Sequence, residues 1–283
     1  MISIEKILFP TDFSPTAQNA FRYCLRLADH FKAKIQVLHV VYPEYEALDL
    51  PVLAAKATQD KLEAAKDLLK PFIELSLAQL SPFYEMQNRP DIQSGVEIGT
   101  PAALISEKAE DWDCDLIVMG TKGQHSLLEK FFGSVTSSVI EKSPCPVWVI
   151  PELANFHDVK SMAYASDLRD ADPYHIWEIG KLLETFAPLV RCVHVNTEGS
   201  LDTALDFAQL GHFFEHHAPG LQITFHALSD NSVTKALEEF TAVHDIDLLV
   251  MYTPQRHWLE NLFHKSRTKG MAFVTHIPLL ILK

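Results

Sequence analysis

Gly120 and Gly123, followed by the pair Gly133-Ser134, lie in the segment GTKGQHSLLEKFFGS with the spacing G-x2-G-x9-G-S. Glycine admits positive φ and lets a ligand approach the main chain closely. The apolar, β-prone run Asp115-Leu-Ile-Val-Met119 comes directly before, and Val135–Lys142 directly after reads as a short helix. A helix start offers unpaired N–H groups and the positive end of the dipole. Ser134 adds a hydroxyl at a cap-like position. Strand, glycine loop and helix start together make an anion site, most naturally for phosphate. Lys122 and His125 inside the loop read either as extra charge for the phosphates or as solvated residues.

A second candidate is Asp12, in Pro10-Thr11-Asp12 at the end of the first apolar run. It can accept hydrogen bonds from a ribose hydroxyl or an adenine amine, and it also suits a turn before Ser14-Pro15. Histidine is uneven, with 11 of 14 in residues 157–276. His212, His216 and His217, in HFFEHH, have i, i+4, i+5 spacing, so two share a helix face and a zinc site is conceivable without a fixed fourth ligand. The four cysteines, Cys24, Cys114, Cys145 and Cys192, are scattered without a CxxC and read as reduced, packed thiols. There is no G-x4-G-K-[ST] loop and no evident nucleophile–base pair. Slow hydrolysis of a bound ATP with Mg2+ would need only an oriented water, with Asp12 as the obvious carboxylate.

These residues need a scaffold. Ile4–Phe9 reads as a buried strand, Ser14-Pro15 as the cap and first turn of a helix to about Phe31, and Ile35–Val41 as a second strand. That order implies a right-handed parallel crossover. A long helix is expected from about Leu53 to Leu80, bent at Pro71. Phe83–Gln87 and Ile92–Ile98 compete for the third strand. Thr100-Pro101 caps a helix to about Asp111, and Pro146–Ile150 is the fifth strand.

The pattern then repeats. Asp167 lies 155 residues after Asp12, His194 lies 155 after His39, and Asp247-Leu-Leu-Val-Met251 lies 132 after Asp115–Met119. The offset falls by 23, so the second half is shorter between its second and fourth strands, as a Leu201–His217 helix in place of Leu53–Leu80 would make it. Pro278–Leu282 repeats Pro146–Ile150. Repeats at this level mean two copies of one α/β unit, expected as domains 1–152 and 158–283.

Net charge is −13, made of −6 over residues 1–151 (14 Lys+Arg, 20 Asp+Glu) and −7 over the rest (10 and 17). Neither half is basic, which argues against nucleic acid as the main partner. No apolar run approaches the roughly 18 residues that span a bilayer. The start, MISIEKILFPTD, enters a strand without a basic leader, so a cytoplasmic protein is expected.

The glycine spacing between strand and helix, with Cys145-Pro-Val-Trp-Val-Ile150 after it, resembles the ATP-binding branch of the universal stress protein family. The resemblance implies two tandem Rossmann-like (adenine nucleotide alpha hydrolase-like) domains, each a five-stranded parallel sheet of order 3-2-1-4-5 flanked by helices. Sequence alone does not supply that order. The implied ligand is ATP or AMP, with Mg2+, serving a stress-response regulator. The adenosine positions matched here are Pro10, Thr11, Asp12 and Val40, and the ribose and phosphate positions are Met119, Gly120, Gly123, Gly133, Ser134 and Val135. In the family, domains associate through their fifth strands, which implies an intramolecular pseudo-dimer and room for further homo-dimerisation. The second half departs from the motif, since a shift of 132 puts Tyr252 at Gly120, Gln255 at Gly123, Lys265 at Gly133 and Ser266 at Ser134. Tyr252 would crowd the ligand, and Lys265 would replace a glycine expected at positive φ. His264, Lys265, Arg267 and Lys269 read as a solvated basic helix end or as a charged anion hold. A nucleotide-free interaction scaffold is the remaining alternative.

Overall fold

The computed structural model describes residues 3–43, 51–121, 133–197, 205–252 and 277–283. The chain forms two units, Ile4–Asn155 and a second built on Phe156–Lys283.

The first unit runs β1 (Lys6–Pro10), α1 (Pro15–Phe31), β2 (Lys34–Val41), α2 (Pro51–Leu80), β3 (Ile92–Ile98), α3 (Pro101–Asp111), β4 (Leu116–Gly120), α4 (Ser134–Lys142) and β5 (Val147–Ile150). Its strands are parallel in the order β3-β2-β1-β4-β5. The central strands are buried on both faces, hence their continuous apolar composition, whereas the edge strand β3 is half-buried or exposed along its length. Ser14 caps α1 by accepting from Ala17 N at 3.1 Å, with Pro15 in the first turn where its missing N–H costs nothing. Thr100 starts α3 by backbone position only, without a side-chain cap bond.

α2 runs without a break through Pro71, which sits on the exposed side where water can satisfy the carbonyl freed by the missing N–H. The third strand is Ile92–Ile98, and the competing segment around Phe83 is a turn. Buried Asp29 pins that turn, accepting from the Tyr84 hydroxyl at 2.6 Å, from Gln87 N at 3.0 Å and from Asn88 N. Burial pushes its carboxyl up, but these donors outweigh burial and hold it below the usual carboxylate range.

The second unit runs β6 (Ser161–Ala165), α5 (Asp172–Leu182), β7 (Leu189–Asn196), α6 (Phe207–His217), β8 (Ile223–Ser229), α7 (Val233–Val243), β9 (Leu248–Tyr252) and β10 (Leu279–Leu282). Its parallel order, β8-β7-β6-β9-β10, is the same arrangement. The missing length lies in the second crossover, where α6 has 11 residues and α2 has 30. No helix among the described residues is long and apolar enough to cross a membrane.

Candidate functional site

In the first unit, strand order reverses between β1 and β4, so a crevice opens beyond the carboxyl ends of those strands. Pro10 ends β1, buried Thr11 and half-buried Asp12 follow it, and buried Met119 and half-buried Gly120 end β4. Asp12 Oδ1 accepts from Ser14 N at 3.1 Å, so this carboxylate also shapes the turn into α1. Phe13 between them takes the left-handed conformation, φ 62°, and its N–H bonds the Thr11 hydroxyl at 3.0 Å.

That turn exposes a main-chain edge on β2. The β1–β2 ladder ends with Thr11 N donating to Leu38 O at 2.9 Å. Even-numbered residues of β2 face β1, as Lys34 N and Leu38 O show, so Val40 is the next to face it. Its natural partners are already engaged. The Thr11 carbonyl accepts from His39 Nδ1 at 2.8 Å, and Phe13 N is held by Thr11 Oγ1. The amide edge of Val40 therefore points past the end of β1 with no ladder partner among the described residues, suited to a ligand with both a donor and an acceptor, such as a purine edge. Since a carbonyl only accepts, His39 carries its proton on Nδ1. The ring stacks on Phe13 at 4.5 Å. Burial lowers its pKa, against the opposing pull of the Thr11 carbonyl and the Asp12 charge.

The other side of the crevice is built from α4. Gly133 is its N-cap and has no side chain to satisfy the first-turn N–H groups. Gly133 N donates to Thr121 O at 2.8 Å and Thr136 Oγ1 to Gly120 O at 3.0 Å, which clamps the helix start to the end of β4. Two expectations about this segment are corrected. Ser134 is the first helical residue, exposed, and not the cap. Gly133 has φ −62° and ψ 158°, an extended conformation open to any residue, so positive φ does not explain this glycine. Val135 follows half-buried in the first turn. Gly120 has its own reason, because a Cβ there would lie 3.0 Å from Thr16 Cγ2. The missing side chain lets the start of α1 pack on the end of β4, bringing the Asp12 turn and the α4 start to one crevice. Gly123, Lys122 and His125 lie outside the described residues.

The second unit repeats half of this. His194 Nδ1 donates to Ser166 O at 2.8 Å, Leu168 (φ 55°) donates its N–H to Ser166 Oγ at 2.9 Å, and Val195 is left facing the end of β6 as Val40 faces β1. At the β9 end it differs. Tyr252, in the Gly120 position, stacks on His175 at 3.9 Å and an interplanar angle of 27°. Burial lowers the His175 pKa. Asp167 pairs with Arg169 at 3.1 Å, yet burial raises its pKa. Buried Asp172, not singled out by the repeat, accepts from the Tyr164 hydroxyl at 3.0 Å and from Arg169 N at 3.1 Å. Gln255, His264, Lys265, Ser266, Arg267 and Lys269 lie outside the described residues.

Sequence reasoning missed Thr16 and Thr136, which touch Gly120 from two helices. The recurrence of His39 and His194 at one offset was a usable sign that the imidazole is part of the frame.

Residues 3–151 match the sequence model described as "Universal stress protein family". A Staphylococcus saprophyticus protein named as a universal stress protein is 30% identical over 155 residues, spanning 53% of this chain and 85% of its own. A Staphylococcus aureus counterpart is 28% identical over 155 residues, spanning 53% and 86%. A universal stress protein structure from Archaeoglobus fulgidus covers 98% of this chain and 96% of its own at TM-score 0.66 and 18% identity. One from Pseudomonas aeruginosa covers 99% and 94% at TM-score 0.54 and 12% identity. These last two are likenesses of fold.

Proposed function

The chain belongs to the universal stress protein family, and from that premise we propose that its first unit is an adenine-nucleotide-binding regulatory module of the cytoplasmic stress response. The observation that carries this is the pairing, in one crevice, of an unladdered amide edge at Val40 with an α4 N-terminus that Gly133 leaves uncapped by any side chain. The first suits the base. The second suits phosphates, which a chain of net charge −13 must hold locally through main-chain amides. Asp12, beside the end of β1, is the acceptor for the ribose. ATP or AMP is the ligand, Mg2+ accompanying the triphosphate.

The same reading makes the second unit a degenerate copy. It keeps the Val195 edge, but Tyr252 and His175 fill the place next to the phosphate side. One nucleotide per chain is therefore expected.

The test is calorimetry with ATP and AMP, beside mass spectrometry of small molecules released on denaturing fresh protein. One nucleotide per chain is expected. Ser134→Asp places a carboxylate at the first helical position, which the helix dipole tolerates, so folding should hold while ATP binding falls at least about tenfold by like-charge repulsion. Unchanged ATP affinity in Ser134→Asp, or two nucleotides per chain, refutes this site.

A further inference from the structure

The last turns of α6 carry a pair of imidazoles that the proposed nucleotide site does not use. His212 and His216 are both exposed, one turn apart, with ring centroids 4.2 Å apart and planes 31° apart. His216 Nδ1 lies 2.8 Å from the His212 carbonyl. A carbonyl can only accept, so the proton sits on Nδ1 and the lone pair of the neutral ring is on Nε2. Histidine metal ligands show this arrangement, the ring fixed by one nitrogen to a carbonyl and presenting the other.

We propose that His212 and His216 form a two-imidazole chelate for a divalent late first-row metal ion, with copper(II) held most tightly. Metal–imidazole bonds of about 2.0 Å set two adjacent ligand nitrogens about 2.8 Å apart in the square-planar or tetragonal site that copper(II) prefers. Rings 4.2 Å apart reach that spacing by small rotations of exposed side chains, without moving the helix. The site is also at the carbonyl end of α6, where the helix dipole favours a cation. The second half of the chain adds a net charge of −7 (10 Lys+Arg, 17 Asp+Glu), which attracts cations rather than repelling them. Among the described residues no group of three ligands gathers anywhere, so water completes the coordination and selectivity follows the intrinsic order, copper above nickel and zinc. His217 stands apart from the pair. Its ring stacks on Phe213 at 4.5 Å and its Nδ1 is tied to the Phe213 carbonyl at 2.9 Å.

The experiment titrates the full chain with copper(II) sulfate and, separately, zinc chloride, in a non-coordinating buffer. Calorimetry gives affinity and electron paramagnetic resonance counts the nitrogens on copper. Wild type should take one copper ion with a two-nitrogen signature, and zinc more weakly. His212→Ala and His216→Ala should each weaken copper binding by about tenfold or more and remove one nitrogen from the spectrum. His217→Ala should leave both readouts unchanged. All three positions are exposed, so equal melting temperatures establish that each variant is folded. A double variant, His212→Ala with His216→Ala, that binds copper like wild type would place the ion on other histidines and overturn the proposal. Zinc bound more tightly than copper would overturn the open, water-completed geometry.

Discussion

At the end of β1 the Thr11 carbonyl accepts from His39 Nδ1, and at the end of β6 the Ser166 carbonyl accepts from His194 Nδ1, both at 2.8 Å. At the opposite end of the central strands, Asp115 Oδ2 accepts from Glu5 N and Lys6 N at 2.8 and 2.9 Å. Asp247 Oδ2 accepts from Lys160 N and Ser161 N at the same distances. The two units therefore keep the same clamps at both ends of their first strand, β1 or β6. At the carboxyl end of the fourth strand they differ, where one has Gly120 against Thr16 and the other Tyr252 against His175. A frame is retained because every strand depends on it.

The largest expected effect tests the shared frame. Asp115→Ala and Asp247→Ala each remove a carboxylate that holds two main-chain N–H groups, and each should destabilise its own unit by about 3 kcal/mol. Hydrogen exchange resolves the two units. If one substitution proves nearly silent while the other does not, the frame is not shared in energy, only in shape. Next, Tyr252→Ala removes the ring stacked on His175 and should cost the second unit about 2 kcal/mol by denaturant unfolding. It should not create an ATP site by itself, because Gln255 and Lys265 still stand where the first unit has Gly123 and Gly133. ATP binding gained by this one change would break the comparison at its main point.

Gly120→Ala is a smaller perturbation of the first unit. Its Cβ would meet Thr16 Cγ2 at 3.0 Å, an overpacking of about 1 kcal/mol. Thr16→Ser removes that methyl, so the double variant should recover most of the loss in a double-mutant cycle. The least expected effect is a contrast in pH dependence. Asp29 in the first unit has a lowered pKa, so its stabilisation is present above the ordinary carboxylate pKa of about 4 and is lost as pH falls through its folded value. Asp167 in the second unit has a raised pKa. Its native form binds the proton more readily, so its contribution to stability falls as pH rises from about 4 through its folded value. Asp29→Asn should flatten the acid loss in the first unit and Asp167→Asn should relieve the neutral-pH cost in the second, each by less than about 1 kcal/mol, read from unfolding curves at pH 3 to 7.

Much of the scaffold was legible because it rests on local chemistry. Buried parallel strands must be continuously apolar, as Leu116–Met119 and Leu248–Met251 are. Ser14-Pro15 is a helix start by cap and missing donor. The duplication shows in plain offsets. The third strand was not legible, because Phe83–Gln87 and Ile92–Ile98 both suit a half-exposed edge, and the choice depends on the distant Asp29 drawing Tyr84, Gln87 and Asn88 into a turn. The helix start at Gly133-Ser134 was readable, but the reasons for the glycines around it were not. Gly133 takes ordinary extended angles, and Gly120 makes room for a side chain on α1.

By itself the sequence determined most of the strands and helices, that the unit occurs twice, and that a glycine-rich segment and a helix start follow the fourth strand. Each of those follows from hydrophobic period, capping chemistry and spacing within one stretch of chain. Only the tertiary structure decided that β4 lies beside β1, that Thr16 and Thr136 converge on Gly120, and that His39 and Thr11 leave the Val40 edge unladdered. Those facts depend on contacts between residues tens to a hundred positions apart, which sheet order and packing set and which no local pattern encodes.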